Sequence, residues 1–259
     1  MVLNRFWQKI KSILGLSFQI AKAEFKLRNE GSYLGIFWYL LAPILMFALL
    51  FLVFADRLGN NIPLYPLYLL LGLIVFNFFQ SATTEATRSI INDHRFLIKS
   101  INFPRESLIL AVVLKNVFSH LFEVVLFFIV AQFFNVSLFS IFYYLIILFL
   151  FFLFTFGVSL FLSSLTVYFV DLENIWIFVS RILWLATPIF YAIENQHRLF
   201  IFNLFNPLYC FITAIRNFVL YNSASSWWML LIILFYVLVS FFIGLIMFYK
   251  LKKKFAEMI

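Results

Sequence analysis

The sequence predicts an all-α integral membrane protein with six transmembrane helices, and three observations carry that expectation. Of 259 residues, 65% are hydrophobic and only 12% are charged, half the charge of a typical water-soluble domain, whose surface must face water. Uncharged stretches long enough to cross about 30 Å of hydrocarbon at 1.5 Å per residue recur along the chain, separated by short charged clusters. At about 20 residues per crossing plus connections, the length accommodates roughly six of them.

Residues 1–30 are too charged to cross. Leu3, Phe6, Trp7, Ile10, Ile13, Leu14, Phe18, Ala21 and Phe25 recur every three or four positions, with lysines and arginines mostly opposite. That spacing predicts an amphipathic interface helix, lying on the cytoplasmic leaflet or docked on a partner protein. No short apolar core with a small-residue cleavage site follows it, so a signal peptide is not expected. Charges are absent between Glu30 and Asp56 and between Arg57 and Glu85, which places spans at about 33–55 and 65–84.

A polar segment, 92–102, follows on the cytoplasmic side. The uncharged run from Glu123 to Asp171 is far too long for one crossing, and the polar pair Asn135 and Ser137 divides it into spans at 106–134 and 138–169. A fifth is expected at 174–191 and a sixth at 227–249. Between these, 194–226 is apolar yet dotted with Arg198, Asn203, Asn206, Pro207, Thr213, Arg216 and Asn217. Such a segment suits two short re-entrant or interfacial helices hinged near Asn206 and Pro207, because broken backbone at membrane depth needs protein or a water-filled cavity around it.

The basic residues orient the bundle. Arg5, Lys9, Lys11, Lys22, Lys26, Arg28, Arg88, Arg95, Lys99, Arg105, Lys250, Lys252, Lys253 and Lys254, fourteen of 19, fall on one face, against Arg57, Arg198 and Arg216 on the other. The positive-inside rule then puts both termini in the cytoplasm. The net charge of +8 reads as topology rather than as a nucleic-acid footprint. Cys210 is the lone cysteine, so no intrachain disulfide forms, and no Cys/His spacing suggests a metal.

Catalytic chemistry has little to stand on. None of the seven glycines is followed by lysine, so no P-loop cradles a nucleotide, and no esterase or zincin motif occurs. His120 and Glu123 form an i,i+3 pair in the third span; they either mark a proton relay or metal ligand pair, or satisfy one another together with Lys115. Arg181 in the fifth span either faces a polar pathway or is a paired structural charge. Most of the 39 phenylalanines read as lipid-facing. Trp38, Tyr39, Trp176, Trp184 and Tyr191 carry polar tips that want partners or water, and their flat faces suit a conduit along which sugar rings slide.

Several stretches resemble the membrane subunits of ABC-type polysaccharide exporters, the group that exports O-antigen, capsule and teichoic acid. These are KLRNEGSYLGIFWYLLAP from Lys26, YPLYLLLGLIVFNFF from Tyr65, SIINDHRFLIKSINFPRE from Ser89, VYFVDL from Val167, TPIFY from Thr187, and NPL from Asn206 with Arg216 ten residues on. They occur in family order over the whole chain. Two positions depart: Val170 stands where the family usually has arginine, and Glu30 where it is often basic.

The resemblance implies a non-enzymatic transport subunit of the bacterial cytoplasmic (inner) membrane. ATP and Mg would bind a separate P-loop ATPase, present in two copies, and this chain would pair as a homodimer. Segment 92–102 would be the cytoplasmic coupling helix, in which Phe96, Leu97 and Ile101 fill a groove on the ATPase while Asp93, Arg95 and Lys99 ring it. A lipid-linked polysaccharide would approach at Lys22, Lys26 and Arg28 and pass along Trp38, Tyr39, Trp176, Arg181, Trp184 and Tyr191. Asn206, Pro207 and Arg216 would belong to an outer gate. A permease for a drug, lipid or peptide shares the six-span plan, and a membrane-embedded enzyme of lipid-linked sugar metabolism is a further alternative.

Overall fold

The computed structural model describes residues 2–30, 35–59, 61–94, 98, 103–193, 196–223, 225–252 and 255. Among them are nine α-helices and no strand: α1 (Val2–Asn29), α2 (Trp38–Phe54), α3 (Tyr65–Arg88), α4 (Glu106–Gln132), α5 (Ser140–Thr166), α6 (Leu172–Ala186), α7 (His197–Leu204), α8 (Pro207–Val219) and α9 (Trp227–Leu251). Five helical stretches are long and apolar enough to cross a membrane: Leu40–Gly59, Tyr65–Asp93, Glu106–Gln132, Ser140–Thr166 and Trp227–Leu251. A sixth is added if the bent pair α7 and α8 counts as one broken span.

Helix α3 is the axis of the bundle. It is buried along most of its length and touches α2, α4, α5, α6 and α8, whereas α2 and α9 leave most of their surface uncovered. Between α4 and α5 the chain reverses at Asn135, whose φ of 57° is one that asparagine adopts more readily than most residues. Gln132 steadies the turn by donating to the Val136 carbonyl at 3.1 Å.

The closest packing joins α5 to α9 at Gly157 and Gly244. A Cβ on Gly157 would lie 2.5 Å from the Ser240 carbonyl carbon, and one on Gly244 would lie 2.2 Å from the Gly157 oxygen. Lipid supplies no hydrophobic drive between apolar helices, so backbone approach through small residues replaces it.

Phenylalanine is used inside as well as outside. Phe78, Phe79, Phe151, Phe154 and Phe211, all buried, stack from α3 through α5 to α8, with Phe151 and Phe211 centroids 4.8 Å apart and Phe79 and Phe154 5.8 Å apart. Others, such as Phe142, Phe149 and Phe235, face outward.

Helix α1 packs on α4 of its own chain, a surface not expected from its apolar stripe, which predicts the leaflet or a partner protein. Phe18 and Phe25 meet the Phe118 ring edge-on at 5.8 and 6.0 Å, and Phe25 stacks on Phe122 at 6.2 Å. Ser17 and Ala21 are fully buried beneath it, while Trp7, Leu14 and Leu27 stay exposed.

Helix α6 has 15 residues, about 22 Å, and is shorter than the span expected at 174–191. It stops because Thr187 precedes Pro188, which disfavours helical backbone at Thr187; its ψ is 133°. Within 194–226 lie α7 and α8, bent by 105°. Asn206 caps α8 by accepting from the Leu208 amide at 3.1 Å, and Pro207 occupies the first turn, where a missing N–H costs nothing.

Candidate functional site

Three sets of polar residues stand out against the apolar bundle. The first lies where α1, the end of α3 and α4 converge, beside a cleft of about 850 Å³ lined by Glu24, Arg28, Glu85, Arg88, Asp93, His94 and Lys115. Lys115 reaches Glu24 and Glu85 at 3.0 Å each. It therefore does not join His120 and Glu123, the partners expected from sequence proximity, because the α4 turn carrying it faces α1 and α3 instead. Asn116 donates to Glu85 at 2.9 Å, and Arg28 donates to the same carboxylate at 3.2 Å.

His94 is buried at this junction. Its Nδ1 lies 2.9 Å from the Ser89 carbonyl and its Nε2 lies 2.7 Å from the Glu24 carboxylate. With an acceptor on each side both ring nitrogens carry hydrogen, the imidazolium form. Burial alone would lower the pKa of His94, but the hydrogen bond to Glu24 and the Ser89 carbonyl outweigh it and hold the ring above the usual histidine value. Burial likewise pushes Glu24 up, and the His94 hydrogen bond with the Lys115 charge holds it below the usual carboxylate value.

His94 is also the root of segment 92–102, since its carbonyl accepts from the Ile98 amide at 3.0 Å. Asp93 is exposed beside the cleft; Arg95, Phe96, Leu97, Lys99 and Ile101 lie outside the described residues. Arg88 pairs with Glu173 at 3.7 Å, which joins α3 to the start of α6 next to Val170. The residues expected at the substrate approach, Lys22, Lys26 and Arg28, are all exposed; Lys26 pairs with Glu30 at 3.5 Å and Arg28 with Glu85 at 3.2 Å.

The second set is the pathway candidates, which the fold does not gather on one surface. Trp176 faces α3, donating to the Thr83 hydroxyl at 3.0 Å, and Trp184 packs on Phe190 at 5.5 Å. Tyr191 donates to the Ala186 carbonyl at 3.0 Å and so closes the C-terminal end of α6. Trp38 and Arg181 are exposed, and the Tyr39 side chain lies outside the described residues. Arg181 shares an uncovered stripe of α6 with Asn174, Phe178 and Leu185.

His120 lies between Glu123 at 3.0 Å and the fully buried Tyr144 hydroxyl at 2.6 Å. The bond to Tyr144 ties α4 to α5.

The third set surrounds Arg216, which is 2% exposed. Its guanidinium donates to the carbonyls of Pro188 at 2.7 Å, Ile189 at 2.8 Å and Tyr68 at 2.9 Å, and sits 3.3 Å above the Tyr68 ring. Gly72 makes the room, since a Cβ there would come within 2.4 Å of the Arg216 Nη2. Asn206 donates to the Thr187 hydroxyl at 2.8 Å. Arg216 and Asn206 thus pin the Thr187–Ile189 segment to α8 and the hinge, with Arg216 reaching on to α3.

Sequence reasoning found Arg216 and Asn206 but missed Glu24, Glu85, His94 and Asn116. Glu24 carried a faint signal as an acid within the basic first helix. The others needed the packing of α1, α3 and α4 against one another.

Among the described residues, an all-helical bundle with five helical stretches able to cross a membrane and a hinged helix pair after α6 is the architecture of a multi-span membrane protein. The family model for ABC-2 type transporters matches residues 16–220, and the chain belongs to that family. It is similar to the O-antigen export system permease protein RfbA of Klebsiella pneumoniae, with 28% identity over 258 residues, covering 97% of this chain and 99% of that one. The protein of the same name from Myxococcus xanthus is 31% identical over 112 residues, 43% of each chain.

Proposed function

We propose that this chain is the transmembrane subunit of an ATP-driven exporter that carries a lipid-linked polysaccharide from the cytoplasmic side of the bacterial inner membrane. The observation that carries this reading is the similarity to O-antigen export permeases, which runs from end to end rather than over one motif. The chain holds no P-loop; ATP and Mg would bind two copies of a separate ATPase.

Two copies of the chain would enclose the path, with both termini in the cytoplasm. Arg181 supports the pairing. In a single copy it is exposed on an otherwise mainly apolar stripe of α6, and a charge facing lipid is costly. A second copy or a water-filled path between copies removes that cost. Closure of the ATPases would press on segment 92–102 and tilt the bundles as rigid bodies. The α7–α8 pair, re-entrant from the outer face and pinned through Arg216 and Asn206, would gate the exit beside Pro207. Lys22, Lys26 and Arg28 would meet the anionic head of the carrier lipid, and Trp38, Tyr39, Trp176, Trp184 and Tyr191 would flank the path.

Changing Phe96 and Leu97 together to aspartate tests the ATPase contact. The ATPase should no longer copurify and export should stop while the chain still inserts; retained copurification rejects the assignment. Deleting the chain should leave lipid-linked polymer inside the cell and none at the surface. Unchanged surface polymer rejects the substrate.

A further inference from the structure

The segment proposed to receive the ATPase stroke is anchored at both of its described ends. At the far end, Arg105 donates to the Lys252 carbonyl and Lys252 pairs with the buried Glu106, which ties the start of α4 to the last turn of α9. At the near end the anchor is ionic and leads to a different helix. His94 holds Glu24 of α1 at 2.7 Å, and Glu24 is held in turn by Lys115 of α4 at 3.0 Å. Glu85 and Asn116 complete the cluster from α3 and α4.

Elsewhere α1 packs on α4 through phenylalanine rings meeting Phe118 and Phe122, with Ser17 and Ala21 fully buried beneath it, while Gly15 has no neighbour within 4 Å of where a Cβ would stand. To that packing the cluster adds directional, charge-assisted bonds, which fix orientation as well as distance.

We propose that Glu24 is the joint through which movement of His94 reaches the N-terminal helix, so that the helix at the membrane surface shifts with each ATPase stroke instead of resting as a passive float. The inference rests on the proposed transport function and adds to it a route from the ATPase contact to the site of substrate approach. Glu24 and His94 act here as positioning residues. His94 has the Ser89 carbonyl fixing its other nitrogen, so the ring cannot turn without carrying Glu24 along. Lys115 gives Glu24 a fixed pivot on α4. Glu85, bonded by Arg28, Lys115 and Asn116, keeps the C-terminal turn of α1 within reach of α3.

The complex with its ATPase is tested with spin labels on cysteines placed at Gln19 of α1 and Leu121 of α4, both exposed, in a Cys210→Ser background. Adding ATP should change the label separation in the otherwise unaltered chain. In Glu24→Leu, which removes the acceptor, that change should vanish and export should fall about tenfold, while ATPase copurification and ATP hydrolysis persist. His94→Leu should do the same, His94→Gln should keep most of the export because its amide still donates to Glu24, and Glu24→Leu with His94→Leu should be no worse than either alone. The His94 pair keeps the test decisive should Glu24→Leu fail to fold. Unaltered export in Glu24→Leu, equal loss in His94→Gln and His94→Leu, or no ATP-dependent change in the unaltered chain overturns the proposal. Failure of the ATPase to copurify with the unaltered chain refutes instead the transport reading beneath it.

Discussion

At the scale of single residues, the Glu24–His94 contact is the place where pH enters. His94 has its pKa raised above the ordinary 6.5, and Glu24 has its own lowered below 4.5. A raised base contributes its bond fully below its unfolded pKa and loses it as pH climbs through the raised value; a lowered acid contributes above its unfolded pKa and loses it as pH falls through the lowered value. The contact is therefore complete from about pH 4.5 to 6.5 and weakens above the raised His94 value. Asp93, Arg88, Arg28, Glu85 and Lys115 share the cleft, and the Lys115–Glu24 bridge persists, so the loosening is partial. We expect the protection of the α1 amides near Glu24 against exchange, measured relative to their intrinsic rates at each pH, to fall across that upper limit and to be independent of pH there in His94→Gln. A pH-dependent loss of protection that survives in His94→Gln refutes the assignment.

Single helices are placed by different means. Helices α5 and α9 meet through Gly157 and Gly244, where backbone touches backbone, so any side chain at Gly244 must push the pair apart. Gly244→Leu should cost about 1–3 kcal/mol or more and lower the thermal stability of the detergent-solubilised chain. Gly15, with open space around it, should accept alanine without loss. An unchanged melting point for Gly244→Leu would mean that α9 does not pack as described. The hinge between α7 and α8 is set locally, by Asn206 as cap and Pro207 in the first turn. Its attachment to the rest of the bundle is set at a distance, through Thr187, Arg216 and Tyr68.

For the whole molecule, the uncovered surface is the informative part. Helix α6 leaves Ile175, Phe178, Ile182 and Leu185 exposed in line with Arg181. If two copies pair over this stripe, Phe178→Cys should give disulfide-linked dimers in membranes under mild oxidation, with Cys210 removed as background. Trp227→Cys, exposed on α9 away from the stripe, should not. Equal crosslinking at both sites would assign the surface to lipid.

The positions of the five helical stretches long and apolar enough to cross are legible in the amino-acid order alone, because a bilayer demands long uncharged runs and charges mark their ends, whereas the crossing expected at 174–191 is met only by the 15-residue α6. The same holds for the turn at Asn135, and for the Asn206–Pro207 break, which a cap residue followed by proline announces locally. Little of the charge network is legible in that way. Glu24 and Lys115 are 91 residues apart, and nothing periodic in either helix says which face meets the other. Lys115 sits five residues from His120, yet the helix turns it toward α1 and α3 while His120 faces α5.

The sequence by itself determined a helical membrane protein with a broken segment after the fifth apolar stretch, since hydrophobicity, charge placement and proline act through local chemistry. Only the tertiary structure decided that α1 docks on its own chain, that Trp176 and Tyr191 spend their polar tips on protein partners, and that His94 is bonded to Glu24. Those outcomes depend on which faces of distant helices come together, and in a bundle whose surfaces are nearly all apolar, that choice rests with a few polar groups and close-packed glycines.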